Sequence, residues 1–227
     1  MESELFLVSN SLGNELDLPP RTLESLLSAD CIIGEEARST STLLKRLGIS
    51  KDFLLLNEHT TKEELFFLAD SLSNFRKICI LSDAGNPGIE DPASRLVPLA
   101  WAKGIKVRSS PGPVALVSGL AASGFPTSPF VFLGFLPREE KERIQVLKKH
   151  LTYGMTLVFY ETPYRTKRVL ESLTSLGLEL VFLNLGIGLS EELTFRGNPK
   201  DILKSKIPKL PPVFVLPPQK TRGTMPK

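Results

Sequence analysis

Cysteine and histidine are scarce in this sequence of 227 residues, and their scarcity narrows the chemistry open to the chain. The two cysteines, Cys31 and Cys79, each fall in a short β-like run, so we expect reduced core thiols rather than a disulfide. The two histidines, His59 and His150, lie far apart, whereas a zinc cluster needs more ligands at closer spacing. The sequence therefore predicts no metal site.

Long apolar runs and the common nucleotide-binding fingerprints are missing too. No apolar run approaches the roughly 18 residues that a membrane helix requires. The opening residues M-E-S-E are acidic, unlike a secretory signal, so we expect a cytoplasmic protein without a membrane partner. Neither G-x-G-x-x-G nor G-x-x-x-x-G-K-[ST] occurs, which argues against the ordinary dinucleotide and P-loop sites.

Basic residues are concentrated near the C-terminal end. Residues 198–227 hold seven Lys or Arg and one Asp, a net charge of +6, while the whole chain carries +3, which leaves −3 for the rest. A solvated basic tail is the simpler interpretation. The alternative is a tail that helps to hold a polyanion such as RNA, because each neutralised phosphate releases counterions.

Short apolar runs alternate with helical patterns through the first half of the chain. Strands are predicted at residues 5–8, 31–34, 53–56, 78–81 and 105–107. Segments with apolar residues at helical spacing lie between them. This alternation predicts an α/β domain with a mostly parallel sheet covered on both faces.

A proline-rich segment at residues 125–129 indicates a linker, so we predict domains at 1–124 and 125–227. The second half then shows strands and fewer helices. Strands are predicted at 130–135, 156–160, 180–185 and 211–216, and helices at 139–149 and 165–176. This pattern predicts a second α/β domain with a mixed sheet.

The loop at residues 82–92 is the strongest candidate for a ligand site. It follows a predicted parallel strand, and ligands of such sheets bind beyond the carboxyl ends of the strands. Its two glycines let the backbone approach a ligand closely, and its two prolines stiffen it. Polar segments also follow other predicted strands, at 9–14, 35–38, 109–113 and 160–165. Together they predict a ligand cleft between the two domains.

Seven segments carry a resemblance to a known family. They read N-S-L-G-N-E at 10–15, E-E-A-R at 35–38, N-E-H at 57–59, S-D-A-G-N-P-G-I-E-D-P at 82–92, P-G-P-V-A at 111–115, G-F-L-P at 134–137 and Y-E-T-P-Y-R at 160–165. In order and spacing they resemble the tetrapyrrole methylase superfamily, and most closely its small-subunit rRNA (cytidine-2′-O)-methyltransferase branch. Departures from that branch include Ala37, Asn86, Tyr164 and the segment 185–190. We also expect the chain to lack the small extra C-terminal domain of many members of the branch.

The resemblance implies S-adenosylmethionine as the cofactor, bound in the cleft between the domains, and a homodimer. The residues expected at the cofactor are Leu12, Gly85, Asn86, Ile89, Val114, Ala115, Tyr160 and Leu185. A ribose hydroxyl needs a base or hydrogen-bond acceptor for its proton, and the candidates for this catalytic role are Glu36, Asp83 and Glu161. The residues expected to bind the substrate are Arg38, His59 and Arg165.

Three functions are compatible with these residues. The branch and the basic tail favour methylation of a ribose 2′-oxygen in the RNA of the small ribosomal subunit. The changed motif positions leave two alternatives, a methyltransferase for a small tetrapyrrole-like molecule and a catalytically inactive RNA-binding homologue. For an RNA substrate we expect Arg138, Lys141 and Arg143 near the mouth of the cleft, because they follow the G-F-L-P segment.

Overall fold

The computed structural model describes residues 2–219, so Lys220, Arg222 and Lys227 of the basic tail lie outside the described residues. The chain divides into two compact units, Met1–Val114 and Ala115–Lys227. The helix α5 (Ala115–Ser123) packs on strands of the second sheet and belongs to the second unit. The predicted domain boundary, after residue 124, falls just beyond this helix.

The first unit is a five-stranded parallel sheet with helices on both faces, as predicted. Its strands are β1 (Glu4–Val8), β2 (Cys31–Gly34), β3 (Leu54–Leu55), β4 (Lys77–Leu81) and β5 (Lys106–Ser110). Its helices are α1 (Pro20–Ser28), α2 (Ala37–Arg46), α3 (Lys62–Ser71) and α4 (Ala93–Ala102). The strand order is β3-β2-β4-β1-β5, and every neighbouring pair is parallel.

The side chains of the central strands point alternately to the two faces of this sheet, and each face carries its own hydrophobic core. In β4, Ile78 and Ile80 enter one cluster of buried residues, and Cys79 and Leu81 enter the other. Successive side chains of a strand point to opposite faces, so a continuous apolar run fills both cores. Cys31 and Cys79 are free and buried in different clusters, which confirms the prediction of core thiols.

The second unit holds a mixed five-stranded sheet, again as predicted. Its strands are β6 (Phe130–Phe135), β7 (Thr156–Tyr160), β8 (Val181–Leu185), β9 (Leu193–Gly197) and β10 (Pro212–Leu216), in the order β6-β7-β10-β8-β9. The pair β6 and β7 is parallel, and the other three pairs are antiparallel. Besides α5, its helices are α6 (Glu140–Leu151), α7 (Thr166–Ser175) and α8 (Pro199–Ile202).

Two features of the second unit differ from the sequence analysis. The edge strand β9 was not predicted, because its exposed residues, among them Thr194 and Arg196, give no apolar run. Arg143, expected at the cleft mouth for RNA, is only 2% exposed. Its guanidinium donates to Ser172 Oγ at 3.0 Å and to the carbonyl oxygens of Pro137 and Arg138 at 3.3 and 2.9 Å. The expectation of a phosphate contact from Arg143 is therefore wrong. Its guanidinium points into the second unit and is occupied by acceptors there, so it does not face solvent.

Candidate functional site

The loops that follow β1 and β4 are joined by backbone hydrogen bonds at the carboxyl edge of the first sheet. Asn10 N donates to Gly85 O at 2.8 Å, and Gly85 N donates to Ser11 O at 3.3 Å. The buried Asn10 side chain donates to the carbonyl oxygens of Ser82 and Asp83 at 3.3 and 2.9 Å. The loop predicted to bind ligand is thus held in one shape by its neighbour.

The loop after β5 joins the same layer through small residues. The Ser9 hydroxyl lies 2.7 Å from Asn86 Oδ1 and 2.9 Å from Ser110 O, and these two acceptors share its single hydrogen. A Cβ built on Gly112 would lie 2.3 Å from Ser9 Cβ, so only glycine permits this approach. Asn86, where the rRNA branch has threonine, is therefore oriented by a buried serine.

Gly85 lies at the centre of this layer and has a left-handed backbone, with φ +73°. A Cβ there would stand 3.2 Å from Leu12 Cδ2 and 3.4 Å from Pro113 O. Both the conformation and the space around the residue favour glycine. Ile89, further along the loop, is exposed, as an apolar contact for a ligand would be.

A pocket of about 390 Å³ in the first unit brings together four of the predicted site residues. They are Leu12, expected at the cofactor, Glu36 and Asp83, candidates for the base, and Arg38, expected at the substrate. Both acids and Arg38 are exposed to solvent. Glu36 is the N-cap residue of α2, and Arg38 lies in the first turn of that helix.

His59 lies in a different part of the first unit. Its imidazole is exposed and stands 3.5 Å from the Glu58 carboxylate. It borders an apolar surface formed by β3 and α3, which includes Leu55 and Phe67. The structure does not bring His59 into the pocket of Leu12 and Asp83, so its substrate role stays a prediction from the resemblance.

Three predicted cofactor residues belong to the second unit. Tyr160, at the end of β7, accepts a hydrogen bond from Leu116 N at 2.9 Å and so ties the start of α5, next to Ala115, to the sheet. Its ring packs edge-on against Phe132, with centroids 5.0 Å apart. The Leu185 side chain is completely buried in the core of this unit. The whole residue, backbone included, has 0% exposure, so its place at the cofactor stays a prediction from the resemblance.

Glu161 and Arg165, predicted as a base and a substrate residue, form a buried ion pair. The guanidinium donates to both carboxylate oxygens at 2.6 Å and to Leu136 O at 2.8 Å. Thr162 N also donates to the Glu161 carboxylate, at 2.6 Å. The Glu161 side chain is 0% exposed, so it is closed to a substrate hydroxyl. This geometry gives the pair a structural role and leaves Glu36 and Asp83 as the candidate bases.

Sequence reasoning missed a second pair of acids, Glu35 and Asp91, at the edge of the first sheet. Glu35 is the first residue after β2, and its Oε2 accepts a hydrogen bond from Asp83 N at 3.1 Å. Burial, together with the nearby charges of Asp91 and Asp83, raises the pKa of Glu35 to about 7. The pairing of strands could have indicated this contact, because the residues that follow two adjacent parallel strands lie close together.

Comparison with known proteins decides the family. The family described as Tetrapyrrole (Corrin/Porphyrin) Methylases matches residues 4–202. The chain belongs to the tetrapyrrole methylase family. It is a methyltransferase, as the resemblance predicted, and its family uses a methyl donor of the S-adenosylmethionine type.

Relatives of this methylase carry the name "Ribosomal RNA small subunit methyltransferase I". The Leptospira borgpetersenii protein is 47% identical over 223 residues, which is 95% of this chain and 88% of that protein. The Thermotoga maritima protein is 37% identical over 196 residues, 86% of this chain and 88% of its own length. The Halalkalibacterium halodurans protein is 38% identical over 190 residues, but the match spans only 64% of its length.

A solved structure with the same fold is a diphthine synthase. It superposes with a TM-score of 0.76 at 18% identity and covers 95% of this chain and 90% of its own. At that identity the likeness shows the fold alone. It confirms the prediction of two α/β units, one with a parallel sheet and one with a mixed sheet.

The first unit of the methylase fits a cofactor of this type. Its pocket is within the size range of small-molecule sites, roughly 300–1,000 Å³, and its lining includes small residues and Leu12, one of the residues expected at the cofactor. Within residues 2–219, no group of three or more His, Cys, Asp or Glu is placed to hold a metal ion. No helix in that range is long and apolar enough to span a membrane.

Proposed function

We propose that the chain transfers a methyl group from S-adenosylmethionine to a ribose 2′-oxygen in the RNA of the small ribosomal subunit. The observation that carries this proposal is the 47% identity, over 95% of the chain, to a protein named for that ribosomal RNA. The pocket that combines Leu12, Arg38 and two exposed acids supports it. The motifs of the (cytidine-2′-O)-methyltransferase branch supply the choice of atom.

The proposed cofactor contacts in the first unit are Leu12, Gly85, Asn86, Ile89 and Val114. Those in the second unit, Ala115, Tyr160 and Leu185, rest on the resemblance. S-adenosylmethionine supplies an activated methyl group on a sulfonium, so the chain contributes chiefly by aligning a nucleophile with it. The loops that follow β1, β4 and β5 contact one another around Gly85, so they can hold the cofactor in one position.

The acceptor hydroxyl must also lose a proton, and Glu36 and Asp83 are the acids of the pocket that could take it. Arg38, exposed in the first turn of α2, is suited to bind a backbone phosphate of the substrate. Its guanidinium can pair with two phosphate oxygens at once. A base and a group that can bind phosphate in one pocket are compatible with a nucleotide substrate.

The direct test is methyl transfer from labelled S-adenosylmethionine into small ribosomal subunits from cells without such an enzyme. We expect label in the RNA of these subunits and none in a small-metabolite extract. Glu36→Gln and Asp83→Asn, assayed singly, identify the base, since loss of a general base lowers the rate about 10²–10⁴-fold. Label in metabolites alone indicates a small-molecule enzyme, and cofactor binding without transfer to either acceptor indicates an inactive homologue.

RNA binding should depend on the exposed cations that follow β6. Reversing the charge of Arg138 and Lys141 together is expected to weaken binding and to lower the salt slope by about 1.4–1.8, since each phosphate contact contributes roughly 0.7–0.9 to it. Affinity for S-adenosylhomocysteine should not change. The matched control is Gln145→Ala, an exposed and uncharged position on the same helix. An unchanged salt slope in the double variant would contradict an RNA contact at these residues.

Two further proposals rest on the family resemblance. We propose a homodimer, which light scattering tests against the monomer mass of 25.1 kDa. We also propose a cytoplasmic location, where small ribosomal subunits are available as substrate, and cell fractionation tests it.

A further inference from the structure

Glu35 and Asp91 join two neighbouring strand ends of the first sheet. Glu35 follows β2, Asp91 closes the loop that follows β4, and these two strands are paired. The two carboxyl groups lie within hydrogen-bonding reach of each other. Glu35 Oε2 also accepts the hydrogen bond from Asp83 N at 3.1 Å. One side chain therefore touches both the start and the end of the loop at residues 82–92.

The two oxygens of Asp91 have different surroundings. Oδ1 accepts hydrogen bonds from Gly88 N at 3.0 Å and from Ala93 N at 2.7 Å. Oδ2 is buried and has no hydrogen-bond donor among residues 2–219 when both acids are ionised. A buried acceptor without a donor is costly. A protonated Glu35 carboxyl supplies the missing donor, because a carboxylic acid carries one O–H.

The charge of this pair is not balanced by a cation within residues 2–219. None of the ion pairs in residues 2–219 involves Glu35 or Asp91. The charged neighbour that acts on both carboxyl groups is Asp83, which is also acidic. Arg95, on α4, donates instead to the carbonyl oxygens of Asn57 and Thr60, at 3.2 and 2.7 Å. Adjacent carboxylates without a counter-charge do not both stay ionised.

We propose that Glu35 and Asp91 share one proton, carried by Glu35, and that this acid pair is a positioning element that fixes the 82–92 loop against the end of β2. Asp91 is the ionised member, since its Oδ1 accepts two backbone N–H groups. When Glu35 releases its proton to solvent, its carboxylate adds a third negative charge next to those of Asp91 and Asp83. Repulsion then loosens the loop that carries Gly85, Asn86 and Ile89.

The pH dependence follows from the direction of the shift. Burial raises the pKa of Glu35 from 4.5 to about 7 in the folded chain. The stabilisation by the protonated pair is therefore fully present below pH 4.5 and is lost as the pH rises through about 7. Alkaline conditions should loosen the loop, whereas mildly acidic conditions should hold it.

The first test needs no ligand. Carboxyl-carbon NMR of the full chain is expected to show Glu35 titrating with a pKa of about 7, well above that of an ordinary glutamate. Asp91→Asn removes the neighbouring charge and should lower the pKa of Glu35, while burial, the larger cause, keeps it above that of an ordinary glutamate. An ordinary Glu35 titration in the unmodified chain, or one that Asp91→Asn does not move, would overturn the proposal.

The second test rests on the proposed cofactor contacts of the loop and uses S-adenosylhomocysteine as the probe. Between pH 6 and pH 8.5 we expect its Kd to rise at least about fivefold. Glu35→Gln keeps a donor for Asp91 Oδ2 and an acceptor for Asp83 N but does not ionise, so its Kd should change less than about twofold. Glu24→Gln, an exposed position on α1, is the matched control and should behave like the unmodified chain.

The two tests separate the proposals. Equal pH dependence in the unmodified chain and in Glu35→Gln would overturn the positioning role, because titration of the ligand itself affects both alike. If S-adenosylhomocysteine does not bind at any pH, the proposed cofactor contacts fail. The NMR titration then decides on the shared proton by itself.

Discussion

Gly85→Val is expected to lower the affinity for S-adenosylhomocysteine at least about 100-fold, a loss of roughly 2.8 kcal/mol of binding free energy. Gly85 has φ +73°, and a side chain there meets Leu12 Cδ2 and Pro113 O. Its N–H and carbonyl also bond to the loop after β1. The loop at residues 82–92 must therefore move, and the proposed cofactor contacts move with it. Calorimetric titration measures the effect.

The matched control for this variant is Gly48→Val. Gly48 has φ +69° with nothing within 4 Å of a built Cβ, and it lies just beyond the end of α2. Both variants should lose about 1–2 kcal/mol of folding stability from the left-handed backbone. Only Gly85→Val should lose cofactor binding. A folded Gly85→Val protein that binds as well as Gly48→Val would contradict the proposed place of the cofactor.

Arg165→Ala is expected to destabilise the chain by about 3–5 kcal/mol, because it leaves a buried carboxylate without its partner. The Glu161 and Arg165 side chains are 0% and 14% exposed, and their two hydrogen bonds are 2.6 Å long. The free energy of unfolding in urea measures the loss. The double variant Glu161→Gln with Arg165→Met should recover part of it, since no unpaired charge remains.

A surface ion pair of the same unit provides the control. Lys204 and Asp201 are 70% and 69% exposed and lie 2.7 Å apart, so Lys204→Ala should leave the free energy of unfolding nearly unchanged. If Arg165→Ala were as stable as Lys204→Ala yet failed to bind RNA, the pair would serve the substrate. That result would restore the role that the sequence analysis gave to Arg165.

Patterns of apolar residues predicted most of the fold, because the buried runs of β2, β4, β7 and β10 fill the cores. The polar edge strand β9 was missed, since it buries little and owes its place to pairing with β8. The carboxyl-end rule for parallel strands predicted a ligand loop at 82–92, and the ligand role of that loop stays a prediction. Whether two loops actually touch depends on side chains such as Asn10, which a pattern does not reveal.

Charged residues were the least predictable part of the site. In the sequence, Arg143 and Arg165 look no different from exposed arginines, but their neighbours bury Arg143 and leave the Arg165 side chain only 14% exposed. Burial, and after it the charge of Asp91, raises the pKa of Glu35, and Asp91 lies 56 positions away in the sequence and comes close only because β2 pairs with β4. In each case the tertiary neighbours, and not the local sequence, set the role of the charge.

The most direct test of the proposed function is the chemical position of the transferred methyl group. After incubation of small ribosomal subunits with labelled S-adenosylmethionine, the RNA is isolated and hydrolysed in alkali. A methyl group on the 2′-oxygen blocks attack on the adjacent phosphodiester, so the label should appear in alkali-resistant dinucleotides. Label in mononucleotides would place the methyl on a base, and no incorporation into RNA would contradict the proposed substrate; either result would contradict the account.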